Sequence, residues 1–252
     1  MLHPSPLLIG DSTRLTWLYT RLVQHGLTVQ HATSLPVSLP AHSHIWCDTA
    51  GMAHCLSAPQ RLTQGVLLDI SGDGKVLLEP REQTLLTAQV HYLDVDGLIA
   101  EPGVQAGFAL AVGGSSPIVR ALTPYFDILA PLPGAWLAAG PVGSATFCCT
   151  IVHALQQAYV EGLLPQALPE TQAAWQHYLL RNHAHQHHYL STLLLTAQHF
   201  LARPRCNEPE YVQSFAVTLA RWLCDTLPLG LDIDRQIGTW LATILGAEDN
   251  TR

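Results

Sequence analysis

Lysine is all but missing from this chain of 252 residues: Lys75 stands alone beside eleven arginines. Chemistry that requires a lysine amine therefore has a single residue to draw on. Charge of either sign is scarce, at 12% of residues, and the balance is acidic at −7. A basic footprint is absent, which argues against a nucleic-acid partner. No apolar run reaches the ~20 residues that cross a bilayer, so no membrane-spanning helix is expected. The opening Met1-Leu-His-Pro-Ser-Pro lacks the basic and apolar regions of a secretory signal. Six cysteines, at 47, 55, 148, 149, 206 and 224, form no Cys-x-x-Cys pair. Reduced thiols in a soluble, cytoplasmic protein are the expectation. Neither a Gly-x-Ser-x-Gly elbow nor a Walker loop occurs.

With hydrophobic residues at 48%, the chain has the material for a sizeable core. Leu7-Leu8-Ile9-Gly10 reads as a short strand ending in glycine. Residues 12–25 set Leu15, Leu18, Leu22 and Val23 at helical spacing, with Gly26 as the stop. A strand over 27–30 completes the opening of a βαβ unit. A stretch containing Pro and Ser follows at 33–44. Further strands are expected at 44–48, 66–70, 90–93 and 108–112, with helices at 53–63, 83–88 and 116–127. This alternation predicts a mostly parallel, layered α/β sheet. After Gly143 the character changes. One helical pattern runs over 144–164, then helices at 170–203, 208–226 and 232–246, with Pro/Gly breaks at 204–209 and 228–230.

The succession from Tyr92 to Gly143 carries more information than any single motif. A strand reaches Asp94, Ala106-Gly107 leads into a strand closed by Gly113-Gly114, and a helix holds Pro124. A strand at 134–139 then meets the turn Gly140-Pro141-Val142-Gly143, which opens the long helix. This order resembles the β-hydroxyacid dehydrogenases, the superfamily of 3-hydroxyisobutyrate and 6-phosphogluconate dehydrogenases and the imine reductases. The resemblance implies a Rossmann-type α/β domain over 1–140, joined by a long helix to an all-helical C-terminal domain over 141–252. It also implies a homodimer through the helical domain, a substrate cleft between the domains, and NADP or NAD as cofactor.

At the stations where that family works, this chain departs from the pattern. A pyrophosphate cradle needs glycines for a tight turn and close backbone approach. Here the slot reads Gly10-Asp11-Ser12-Thr13-Arg14-Leu15, and only the first glycine remains. Gly10, Ser12, Thr13 and Arg14 are the cofactor-binding candidates, joined by Ser71 from the loop that the family places near the nicotinamide. The position that reads the ribose falls near His31 or Ala32, neither of which supplies an acid or an arginine. The Ser-Gly-Gly that holds a substrate carboxylate aligns with Leu98-Ile99-Ala100. The general acid/base lysine, six residues past the last glycine of the turn, aligns with Cys149, and His153 stands four residues further on. Cys149 and His153 share a helix face and are the candidate catalytic residues, as a proton relay or thiolate couple.

Two other patterns stand out in the sequence. His183 and His187, one helical turn apart in a run reaching His188, are able to present two imidazoles to a metal. No third ligand is evident, so a polar face is expected, with no metal site assigned; association through it would respond to pH near 6–7. Asp69 to Glu79 imitates a calcium loop, but the closing glutamate comes one position early and no helices flank it. A strand-end turn is expected there. Two functional readings stay open. One is a divergent NAD(P)-dependent imine or ketone reductase with His153 or water as proton source. The other is a catalytically inactive relative, free of cofactor, that binds a small ligand or a protein partner.

Overall fold

The computed structural model describes residues 5–39, 44–62, 65–163 and 171–246. Residues 40–43, 63 and 164–170, into which the expected Pro/Ser stretch and the ends of three expected helices extend, lie outside them. The strands are β1 (Leu7–Ile9), β2 (Gln30–Ala32), β3 (His44–Cys47), β4 (Val66–Asp69), β5 (His91–Leu98), β6 (Ala109–Gly113) and β7 (Leu137–Gly140), most of them rich in apolar residues and the polar β2 excepted. They join in one sheet in the order β2-β1-β3-β4-β5-β6-β7. All neighbours are parallel except β5 and β6. From β1 the chain passes to β2 on one side and returns to β3 on the other. Strand order therefore reverses between β1 and β3, the position at which open α/β sheets form a binding crevice.

Strand side chains alternate between faces, and both faces are covered. Leu8, Trp46, Leu68 and Leu93 pack on one side with Leu15, Leu18 and Leu22 of α1 (Thr13–Gln24) and with Tyr125, Phe126 and Leu129 of α6 (Thr123–Leu129). On the other side Leu7, Ile9, Ile45 and Leu67 meet Met52 and Cys55 of α2 (Thr49–Ser57) and Leu85 of α3 (Gly74–Thr87). Each such side chain contributes about 1.5–3 kcal/mol by leaving water. Arg21 is the exception on the buried face of α1, only 5% exposed. Its guanidinium donates to the carbonyls of Ile128, Val104, Gln105 and Ala130 at 2.7–3.1 Å. It thereby ties α1 to carbonyls of α4 (Gly103–Ala106) and of the end of α6. Burial draws its pKa below the usual arginine value.

Several boundaries move from their expected places. The second strand lies at Gln30–Ala32, since Gln30, His31 and Ala32 are the residues in register with Leu7, Leu8 and Ile9. The third helix begins at Gly74, so the turn after β4 is short and most of the calcium-like run is helical. The α/β part continues through α5 (Ser116–Ala121) and reaches α7 (Ser144–Leu163).

The chain divides into two compact units, residues 1–149 with 208–217, and residues 150–207 with 218–252. The second is helical, built on α8 (Gln172–Leu201) and most of α9 (Phe215–Gly246). The expected break at 228–230 does not occur: α9 runs through Pro228 and Gly230 as one helix. Pro228 is exposed, so the carbonyl that loses its amide partner is not sealed from water and the interruption is tolerated. Ala220, Leu223 and Asp234 of α9 are buried, whereas Trp222, Leu229, Ile233, Ile237 and Trp240 are 46–66% exposed. These five follow one another at steps of 7, 4, 4 and 3 residues, which keeps them on one face. Among the described residues, no helix is long and apolar enough to cross a membrane.

Candidate functional site

Gly10 ends β1 with φ +136, a backbone conformation open to glycine and rare for other residues. The space a Cβ would take there is filled by the side chain of Asp48, whose Oδ1 lies 1.9 Å from that point. Asp48 follows β3, the sheet neighbour of β1, and caps α2. Its Oδ2 accepts hydrogen bonds from the amides of Asp11 (2.9 Å) and Ser12 (2.7 Å), and Oδ1 accepts from the Gly51 amide (2.9 Å). One carboxylate thus closes the starts of two helices at the point of strand reversal. It is 3% exposed. Burial alone would raise its pKa, but the donors from Gly51, Ser12 and Asp11 prevail and hold it below the ordinary 3.8. The turn between β1 and α1 therefore faces a fixed negative charge at neutral pH.

The remaining cradle candidates are also engaged. Ser12 caps α1 by accepting from the Leu15 amide at 3.3 Å, while Thr13 opens the helix and is exposed. Arg14 donates from Nη2 to Asp96 Oδ1 at 2.6 Å. Leu15, in the slot of the family's third glycine, is 1% exposed and belongs to the core. At the ribose-reading position, His31 Nε2 lies 2.9 Å from the Gly10 carbonyl oxygen and donates to it in one tautomer. Ser71 sits in the turn after β4, where its hydroxyl accepts from Arg81 Nη1 (2.9 Å) and from the Asp73 amide (3.2 Å). Arg81 Nη1 and the Tyr92 hydroxyl both donate to Asp69 Oδ2 at 2.6 Å. Asp69 and Arg81 are each 4% exposed, so the first acid of the calcium-like run is already neutralised. Burial and the Asp69 charge push the Tyr92 hydroxyl well above 10.

On the substrate side, Asp94 accepts from the amides of Gly143 (2.6 Å) and Thr146 (3.0 Å) and so anchors the start of α7. Leu98 is 51% exposed, and Ile99 packs against the core. Cys149 is buried on α7, while His153, on the same helix, is exposed. Burial, then the negative charge of Asp96 and the neighbouring Cys148, pushes the Cys149 thiol up to about 12. A thiol so raised works against the thiolate form expected of a couple with His153.

In the helical unit, Asp234 is 5% exposed. His183 Nδ1 lies 2.9 Å from its Oδ1, and His187 Nδ1 lies 2.9 Å from its Oδ2. Gly238, one turn further along α9, leaves room for the His183 ring, since a Cβ would fall 2.3 Å from its Nε2. The spacing of the two histidines was legible; the carboxylate between them was not. Among the described residues, no group of three or more His, Cys, Asp or Glu is arranged to hold a metal ion.

Asp48 is the residue at the switch point that sequence reasoning missed. The signal was present as an N-cap aspartate three residues before Gly51, but the expected helix start at 53 hid it. A dinucleotide's phosphates would need the same Asp11 and Ser12 amides. An anionic oxygen about 4 Å from the Asp48 carboxylate meets a repulsion of about 4 kcal/mol at an effective dielectric near 20. As they stand, the residues of this turn do not fit a pyrophosphate.

No family model matches the sequence, and no curated protein matches it. Solved structures do share the fold. Plasmodium falciparum 6-phosphogluconate dehydrogenase, described in complex with its cofactor NADP+, aligns with 98% of this chain and 64% of its own, at 14% identity and a TM-score of 0.54. An imine reductase from Bacillus cereus aligns over 91% and 93%, at 10% identity and a TM-score of 0.50. Identity this low fixes the fold and nothing finer. The fold is the one seen in this 6-phosphogluconate dehydrogenase and this imine reductase, in line with the order read from Tyr92 to Gly143.

Proposed function

We propose that this chain is a non-catalytic relative of the reductases whose fold it shares, and that it works as a self-associating binding protein. The observation that carries the reading is the chemistry at Cys149. Reduction of a ketone or imine needs a proton delivered beside the hydride. At the family's proton-transfer position stands a buried thiol held up to about 12, and Asp96 nearby is committed to Arg14. A thiol so raised is a poor proton donor near neutral pH, and the Asp96 carboxylate is taken up by the Arg14 guanidinium. The homodimer belongs to the same reading, supported by the apolar face of α9 from Trp222 to Trp240. A face of this kind is unusual on a protein that stays alone. A cytoplasmic place is supported by the six cysteines, none of which is in a disulfide.

The second reading, a divergent imine or ketone reductase using NADPH or NADH, is favoured by the fold likeness to the Bacillus enzyme. Purified protein assayed with both nucleotides against cyclic imines and small ketones separates the two. The expected result is no turnover above the buffer rate, and no difference between the native chain and His153→Ala. Turnover that disappears in His153→Ala would sink the non-catalytic reading.

A further inference from the structure

We infer that Asp48 is an internal substitute for a phosphate anion, and that it bars a dinucleotide pyrophosphate from the turn between β1 and α1. This deepens the reading above and rests on it, but it concerns binding, not turnover. The inference stands on where each anion-reading group of the turn points. The Asp11 and Ser12 amides, which open α1, both donate to Asp48 Oδ2. The glycine retained from the cradle is filled from outside by the same carboxylate. The cation that would answer a phosphate, Arg14, is held by Asp96 at 2.6 Å.

The carboxylate is also pinned from its far side. Gly51 donates to Oδ1, and a Cβ on Gly51 would fall 2.0 Å from the Ile9 carbonyl oxygen. Helix α2 is therefore seated directly against β1, and Asp48 cannot swing away without uncapping it. An entering phosphate would have to displace an anion that closes two helices at once. A simple N-cap would serve α2 alone; Asp48 reaches across 36 and 37 residues of sequence to serve α1 as well. The amides and the dipole at the start of α1 thus keep the property that attracts phosphate, satisfied from within.

The test compares the native chain with D48G and D48S. Each is titrated calorimetrically with NADPH and with inorganic pyrophosphate, and melted in sodium formate against sodium chloride at equal ionic strength. The native chain should bind neither ligand more tightly than about 1 mM and should melt identically in the two salts. D48G should melt about 4–8 °C lower, as expected for two lost caps. Formate should then restore part of that loss where chloride does not. Pyrophosphate should bind D48G at least about tenfold more tightly than the native chain. Should D48G not fold, D48S keeps a capping oxygen for α2 while freeing the α1 amides, and the same tenfold gain is expected of it. Native binding of NADPH tighter than about 100 μM overturns the inference. So does the absence of any anion gain in a folded variant. Turnover by the native chain would instead strike the non-catalytic reading, so the two fail separately.

Discussion

In the α/β unit, interior charges are matched group by group. Asp48 takes three backbone amides, Asp94 two, Arg21 four carbonyls, and Asp69 is shared by Arg81 and Tyr92. In the helical unit the arrangement is inverted. It buries one carboxylate, Asp234, between two imidazoles, while a row of large apolar side chains on α9 stays in solvent. The buried charges named in the first unit find their partners within it; the second presents an exposed apolar helix face. The contrast teaches that charged groups at the expected ligand stations are paired inward, while exposed apolar side chains gather on one helix face.

The sharpest break of this comparison is Asp69→Ala. It leaves the Arg81 guanidinium buried without its closest partner, and chemical denaturation should register a loss of about 3–5 kcal/mol. A loss under ~1 kcal/mol would mean that the α/β interior is less tightly matched than described. On the helical side, Trp222→Glu with Ile233→Glu should convert a dimer to monomer in sedimentation velocity. Buried aromatic anchors each contribute about 2 kcal/mol or more to an interface, so dissociation should rise by at least about thirtyfold. A monomeric native chain, or a double variant that still dimerises, would move the partner surface elsewhere.

The smallest effect is in pH dependence. Because the folded chain holds Asp48 below its ordinary 3.8, its contribution is complete above the unfolded value and is lost as pH falls through the folded one. The stability difference between the native chain and D48S should therefore be flat at neutral pH and shrink only below about pH 4. A difference that shrinks between pH 6 and 8 (roughly the histidine range) would assign it to another group.

Much of the fold was legible in the residues. Most strands are rich in apolar residues, while the polar β2 lay off its expected place, and Gly107, Gly114, Gly140 and Gly143 take positive φ where the chain turns. The α9 helix was misread because Pro228 and Gly230 are strong local stop signals, yet a helix stabilised by packing on either side continues through them. The site was legible only as a set of losses. Asp48, Arg21 and Asp234 stayed hidden because their partners lie far along the chain: 36 and 37 residues for Asp48, 83 to 109 for Arg21, and 47 between His187 and Asp234. Local pattern carries no record of such pairings.

The sequence by itself determined which side chains stand at the phosphate, carboxylate and proton-transfer positions: a cradle with one glycine, Leu98-Ile99-Ala100, and a cysteine where a lysine is expected. It also determined that Lys75 is the only lysine, so that no second amine exists to be recruited. Tertiary structure alone decided whether the groups that remained were free to act. A backbone amide has one hydrogen to give, and an arginine held against a buried carboxylate is no longer available to a ligand. Because Asp48 at the start of α2 and Asp96 on β5 reach the cradle, its Asp11 and Ser12 amides and its Arg14 guanidinium are taken up inside the molecule.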